Sequence, residues 1–344
     1  MTITKKICGT LLVSSAILFS HASFATTSAW CNSGNPLKFA SIGWESGDFL
    51  TAVANYIAKN GYGCDTETIT GTAMATETAM ANNGLQIYME QWVGRNAAQE
   101  KAVAAGKIKQ VGGPIVGGAE GWYVPDYVIH GDPARNLKPL APDLKSVADL
   151  AKYKAVFADP EDPSKGRFLN CPVGWTCELE NSQKLKAYKL TDSYNNFSTG
   201  TGASLNSAIV SAIKRGKPVL FYYWAPTPLL AEYKFVKLDE PTFNQKCYTT
   251  LRDKANNAPC GSASSPIQIV VGMNAKFYDA DPVLVDFFSK INVPLDILGP
   301  YLVDMNKSRV EPTAMAKKFF ETHPEVWKKW VPDDVAAKVA SSLK

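Results

Sequence analysis

The chain has 344 residues, 46% of them hydrophobic, with 36 Lys and Arg against 32 Asp and Glu for a formal charge of +4. That length supports two lobes of ordinary domain size. The basic residues are scattered rather than gathered in a stripe, so no nucleic-acid partner is expected.

The first residues read as a secretory signal. Lys5 and Lys6 give a positive start, Ile7 to Phe19 is an apolar run too short to span a bilayer comfortably, and Ser23-Phe24-Ala25 supplies the small residues of a cleavage site. Residues 1–25 are therefore expected to be removed. Loss of the two lysines takes the charge from +4 to +2. No later apolar run approaches the length of a spanning helix, and a soluble periplasmic protein is expected.

Beyond Thr26 the chain alternates strand-like and helix-like segments. Leu37 to Gly43 reads as a strand, and Asp48 to Asn60 as a helix stopped by Gly61. Asp65 to Thr70 and Leu85 to Glu90 are further strands, with helices predicted over Met74 to Ala81 and Asn96 to Ala105. This βαβαβα order predicts a parallel sheet covered by helices on both faces. The pattern restarts with an aromatic strand, Gly121 to Ile129. A short helix (Ser146 to Leu150), a strand (Lys154 to Ala158) and helices over Glu178 to Tyr188 and Ser204 to Arg215 follow. Pro218 to Tyr223 is apolar enough for a strand buried on both faces, and Ile267 to Val271 is another strand. Lys237 to Pro266 lacks periodicity and reads as an irregular excursion. From Asp281 onward the chain is mostly helical, with Trp327 and Trp330 as packing residues. The fold class is α/β, in two lobes, each a sheet flanked by helices, with a ligand cleft between them. Lobe 1 is assigned to 26–120 with 268–344, and lobe 2 to 121–267.

Six cysteines remain after the signal: Cys31, Cys64, Cys171, Cys177, Cys247 and Cys260. An even count in an exported chain points to disulfides. The nearest-neighbour solution pairs Cys171 with Cys177, Cys247 with Cys260 and Cys31 with Cys64. Only the Cys171–Cys177 pair is firmly indicated by its spacing, and the other pairings stay open. None of the spacings is that of a zinc or thioredoxin-like site.

Three tryptophans sit in turn-like or strand-end settings. They are Trp92 in Glu90-Gln91-Trp92-Val93-Gly94, Trp175 in Cys171-Pro172-Val173-Gly174-Trp175-Thr176-Cys177, and Trp224 in Tyr222-Tyr223-Trp224-Ala225-Pro226. Aromatic residues on loops held by a scaffold suit binding. Three indole faces meeting at one point make a box for a quaternary ammonium, which cannot donate hydrogen bonds but is attracted by each ring. The loop around Trp175 also offers the backbone N–H groups of Thr176 and Cys177 at the start of a helix, where an anion is favoured. Trp44, Trp122 and Tyr123 are further candidate walls; for each, a core position is an equal expectation.

Enzyme motifs are scarce. Past the signal the histidines are His130 and His323, neither with a ligand-spaced partner. Gly200-Thr201-Gly202 is a lone GxG outside a βαβ setting. No catalytic residue, metal site or cofactor is expected.

These segments resemble the periplasmic substrate-binding proteins of ABC importers for glycine betaine and related osmolytes, the ProX/OpuAC family. The stretch Asn170-Cys171-Pro172-Val173-Gly174-Trp175-Thr176-Cys177-Glu178 is similar to the disulfide loop and helix start of its enterobacterial members. Lys217 to Pro226 and Gln91-Trp92 are similar to the other two segments that carry cage tryptophans. The resemblance covers nearly the whole chain beyond the signal. It implies the periplasmic binding protein fold, an aromatic box of Trp92, Trp175 and Trp224, and Thr176 and Cys177 as carboxylate donors. Where those members carry a carboxylate-binding histidine this chain has Asn96, beside Arg95; either could replace the donor, and Arg95 could instead pair with Glu90. Trp44 resembles the extra cage wall of the choline-binding branch. The function implied is capture of glycine betaine or a related quaternary ammonium compound, by a monomer, and delivery to the membrane permease of an ABC importer. The alternatives are a choline or carnitine ligand on the same fold, or a periplasmic enzyme, which the missing nucleophile and base argue against.

Overall fold

The computed structural model describes residues 27 to 95 and 97 to 344; the expected signal segment and Asn96 lie outside the described residues. Ten strands form two five-stranded sheets. The first holds β1 (Leu37–Ser41), β2 (Thr66–Thr70), β3 (Ile87–Trp92), β4 (Ile108–Val111) and β10 (Ile269–Asn274) in the order β2-β1-β3-β10-β4. The second holds β5 (Ala119–Pro125), β6 (Gly166–Asn170), β7 (Tyr194–Ser198), β8 (Leu220–Ala225) and β9 (Phe235–Lys237) in the order β7-β6-β8-β5-β9. The chain passes to the second sheet after β4 and returns before β10. Helices flank both sheets, and no described helix is long and apolar enough to cross a membrane.

The first sheet is mixed rather than parallel. β1 runs parallel to β2 and β3, but β10 lies antiparallel between β3 and β4. The βαβ order of the first hundred residues could not announce a strand that arrives from the far end of the chain. The second sheet repeats the arrangement, with β6 parallel to β7 and β8, and β5 antiparallel to β8 and β9.

Three predicted segments are corrected. The aromatic strand stops at Pro125, and Asp126–His130 is a helical turn. Lys154 to Ala158 is not a strand: a 3-10 turn spans Val147–Tyr153, and only an isolated bridge joins Ala158 to Gly166. The excursion before β10 contains a short helix, Gln245–Leu251, whose cap Asn244 accepts from Cys247 N. The strands β4, β6, β7 and β9 went unpredicted. β7, Tyr-Asn-Asn-Phe-Ser, has weak strand propensity and is made a strand by its in-register pairing with β6.

The buried apolar residues form two clusters, and the one around the second sheet also takes in Ala40 and Tyr88 of the first. Phe39, Leu50, Ile57, Met273, Phe288 and Trp327 pack under the first. Trp122, Phe168, Leu205 and Phe221 pack around the second. Trp327 donates to Phe320 O at 2.9 Å and Trp330 stacks on Phe319, so both are packing residues. Three disulfides join Cys31 to Cys64, Cys171 to Cys177 and Cys247 to Cys260.

Candidate functional site

Four tryptophans line one cavity between the sheets: Trp44, Trp92, Trp175 and Trp224. Each is delivered by the end of an element. Trp92 is the last residue of β3, and the side chain of Gln99 holds the turn beyond it, donating to Trp92 O at 2.9 Å and accepting from Gly94 N at 2.7 Å. Trp224 is near the end of β8, and Thr227 Oγ1 donates to its carbonyl at 3.0 Å. Trp44 and Trp175 occupy the N-cap positions of the Glu45–Asn60 and Thr176–Ala187 helices, so two helix starts from opposite sides of the cleft converge.

The rings form a continuous wall. Trp175 meets Trp44 edge-to-face at 5.3 Å and Trp224 edge-to-face at 5.2 Å, while Tyr223 stacks behind Trp224 at 4.6 Å. Edge-to-face packing matches the positive edge of one ring to the negative face of the next and leaves other faces for a cation. Gly174 has φ +88, a left-handed conformation that glycine adopts freely. At Gly202 a Cβ would stand 3.0 Å from the Trp175 ring, so the absent side chain leaves that ring its place.

Thr176 and Cys177 line the same cavity. They are the first two residues of a twelve-residue helix, where backbone N–H groups have no partner within the helix. The Cys171–Cys177 bond closes the loop that carries Trp175.

The polar side of the cavity is more acidic than the sequence suggested: Glu77, Glu120 and Glu180 line it together with Arg95. Arg95 does not pair with Glu90. Its guanidinium reaches across the cleft to Glu120 at 2.6 Å and to Tyr248 Oη at 3.3 Å, and lies 5.5 Å from the Trp92 ring centroid. Burial works against its charge, but Glu120, Tyr248 and Glu180 outweigh burial and raise its pKa. Tyr222 donates to the other oxygen of Glu120. Glu180 accepts from Lys184 at 3.2 Å, from Tyr248 at 3.2 Å and from Ser264. Lys184 also pairs with Glu240 at 2.8 Å. Burial would raise the Glu180 pKa; Lys184 and Arg95 reverse that and hold it below the ordinary carboxylate value.

Glu90, on β3 two residues before Trp92, is fully buried and accepts from Trp92 Nε1 at 3.1 Å. Burial is the largest influence on it and pushes its carboxyl up to about 7, with Ser46, Trp92 and Trp44 opposing and Asp48 adding to the rise.

Trp122 and Tyr123 are not part of the cavity lining. Trp122 lies against Phe168 at 4.2 Å and donates to Asn181 Oδ1 at 2.8 Å, while Tyr123 stacks on Phe221. As neighbours on β5 the two rings point to opposite faces of the sheet, and both are buried because both faces are covered. Asn96 lies outside the described residues. The acidic residues were missed because nothing in their local stretches points them toward a cleft. The i,i+4 spacing of Glu180 and Lys184 was the one visible signal.

The chain matches, over residues 35–322, the model of the OpuAC family, described as the substrate binding domain of ABC-type glycine betaine transport systems. It is 24% identical over 210 residues to the glycine betaine/proline betaine-binding periplasmic protein of Escherichia coli, a match covering 57% of this chain and 62% of that protein. The protein of the same description from Salmonella typhimurium is 24% identical over 208 residues, covering 57% and 61%. These matches span less than two thirds of the relatives' length. Among solved structures, a choline binding protein of an ABC transporter in complex with choline superposes with a TM-score of 0.69 at 15% identity, covering 91% of this chain and 99% of that one. The lactococcal OpuAC closed around glycine betaine gives 0.66 at 16%, covering 87% and 100%. At these identities the structures establish the two-lobed fold.

Proposed function

From the premise that this chain belongs to the OpuAC family of substrate-binding domains, which are not enzymes, we propose that it captures a quaternary ammonium solute between its lobes and hands it to the permease of an ABC importer. The observation that carries the reading is the single cavity lined by Trp44, Trp92, Trp175 and Trp224. A cation that carries no N–H gains nothing from hydrogen-bond acceptors, so ring faces are the efficient way to bind it. Each contact contributes roughly 0.5–2 kcal/mol when desolvated. We assign the box to Trp92, Trp175 and Trp224, with Trp44 as a fourth wall.

Glycine betaine is the ligand that uses the rest of the site. Its carboxylate fits the free N–H groups of Thr176 and Cys177, where the helix dipole favours an anion. Asn96 is the candidate donor from the other lobe, since the Arg95 guanidinium is already engaged by Glu120. Choline is the second reading, since its hydroxyl can donate to a carboxylate lining the polar side, where Glu77, Glu120 and Glu180 lie. The assignment of lobe 1 to 26–120 with 268–344 and lobe 2 to 121–267, the cleaved signal over 1–25, the periplasmic location and the monomeric state belong to the same proposal.

Calorimetric titration with glycine betaine, proline betaine, carnitine and choline tests it. The expected result is micromolar binding, about −8 kcal/mol, for glycine betaine and weaker binding of choline. A reversed order selects the choline reading, and no binding of any quaternary ammonium removes both.

A further inference from the structure

Glu90 differs from the other buried carboxylates around the cage. Glu120 has Arg95 and Glu180 has Lys184 as a cationic partner. Glu90 is 0% exposed, and among the described residues no cation pairs with it. Its Oε1 accepts from the Trp92 indole at 3.1 Å. The Trp44 indole N–H and the Ser46 hydroxyl act on the same carboxyl. Neither completes a bond of ordinary geometry, and Trp44 Nε1, Ser46 Oγ and Glu90 Oε2 are all buried without a partner. One carboxyl therefore lies beside two cage rings, bonded to the N–H of Trp92 and influenced by that of Trp44, with no cationic partner among the described residues.

We infer that Glu90 is a specificity-determining residue: its carboxylate is the counter-charge to the bound quaternary ammonium, acting through and beside the Trp44 and Trp92 rings. The inference rests on the quaternary ammonium reading above. A carboxylate that accepts from an indole N–H pushes electron density into the ring and makes its face more attractive to a cation. The direct charge attraction adds to this in a site from which water is excluded. Glu90 thus adds to the preference of the indole faces for a cation over a ligand of the same shape without the positive charge.

The groups that face Glu90 reinforce the argument. From the Glu45–Asn60 helix comes Asp48, another negative charge, whose field raises the Glu90 pKa. On its own strand Tyr88 is raised well above its ordinary value by burial and by the fields of Glu77 and Glu90. Arg95, across the Trp92 ring, is paired to Glu120. With its carboxyl pushed up to about 7, Glu90 is partly protonated near neutrality in the free protein. A bound cation favours the ionised form, so binding releases a proton and affinity rises with pH.

The experiment is calorimetry with glycine betaine and choline, and with the carbon isostere of each in which carbon replaces nitrogen, an uncharged alcohol for choline and a carboxylate anion for glycine betaine. Titrations run from about pH 5.5 to about pH 8.5 in buffers of different ionisation enthalpy. We expect the ammonium ligand that binds to tighten about tenfold across that range, releasing a proton near neutrality, while its isostere does not tighten. Glu90→Gln, which keeps an acceptor for the Trp92 N–H, should bind at high pH as weakly as the wild type at low pH, and lose the pH dependence. A flat wild-type profile without proton release, or a Glu90→Gln profile that still rises, overturns the inference while leaving the cage reading standing. Failure of both ammonium ligands to bind at any pH overturns the cage reading itself.

Discussion

The two sides of the cleft solve the same problem of buried charge in opposite ways. On the side of the second sheet, Glu180 and Glu240 share Lys184, and Glu120 takes Arg95 from across the cleft. On the side of the first sheet, Glu90 lies beside Trp92 with indole and hydroxyl donors near it and, among the described residues, no cation. A charge already compensated by its own protein has little left to offer a ligand. The first group is scaffolding that shapes the polar wall, and the second is a charge for a ligand to satisfy. The residue type is the same; the neighbours decide the role.

The largest effect that would break this comparison concerns the scaffold. Lys184→Met leaves Glu180 and Glu240 buried without their shared cation, and should cost about 3–5 kcal/mol of stability. The midpoint of urea denaturation measures it. A loss below about 1 kcal/mol would mean that these carboxylates are solvated or protonated rather than ion-paired. Next comes the cage. Trp175 touches both Trp44 and Trp224, so Trp175→Ala removes a ring face and loosens two others. Ligand affinity should fall about 100-fold with the secondary structure intact, corresponding to about 2.7 kcal/mol. A loss of under about fivefold would place the ligand elsewhere.

The smallest effect sharpens the contrast on the other side. Glu90 has a raised pKa, so its contribution to stability is greatest below the ordinary value of 4.5 and is lost as the pH rises through about 7. Without ligand, Glu90→Gln should therefore melt higher than the wild type at about pH 8, by roughly 1–2 kcal/mol, and gain nothing at about pH 4. Equal melting temperatures at both ends would show that the Glu90 carboxyl is solvated.

Much of the fold was legible because local signals agreed with the final structure. The helix expected over 48–60 with its Gly61 stop, which begins three residues earlier at Glu45, the strands β1 to β3, and the apolar run of β8 all carry periodicities that survive in the chain. The strands that escaped notice, β6 and β7 above all, are held by pairing with neighbours distant in sequence. The antiparallel insertion of β10 between β3 and β4 has the same cause.

For the site, the sequence by itself determined the reactive inventory: tryptophans at strand and loop ends, a short cysteine loop at a helix start, and no catalytic set. Those are properties of adjacent residues, and local backbone rules fix where such residues fall. Only the tertiary structure decided which tryptophans share a cavity, turning Trp122 into the core and Trp44 into a wall. It alone decided that Arg95 meets Glu120 rather than Glu90, and that Glu90 has no cationic partner among the described residues. The physical reason is that burial and charge compensation depend on distances between residues far apart in the chain, and Coulomb and desolvation energies are set by those distances rather than by sequence spacing.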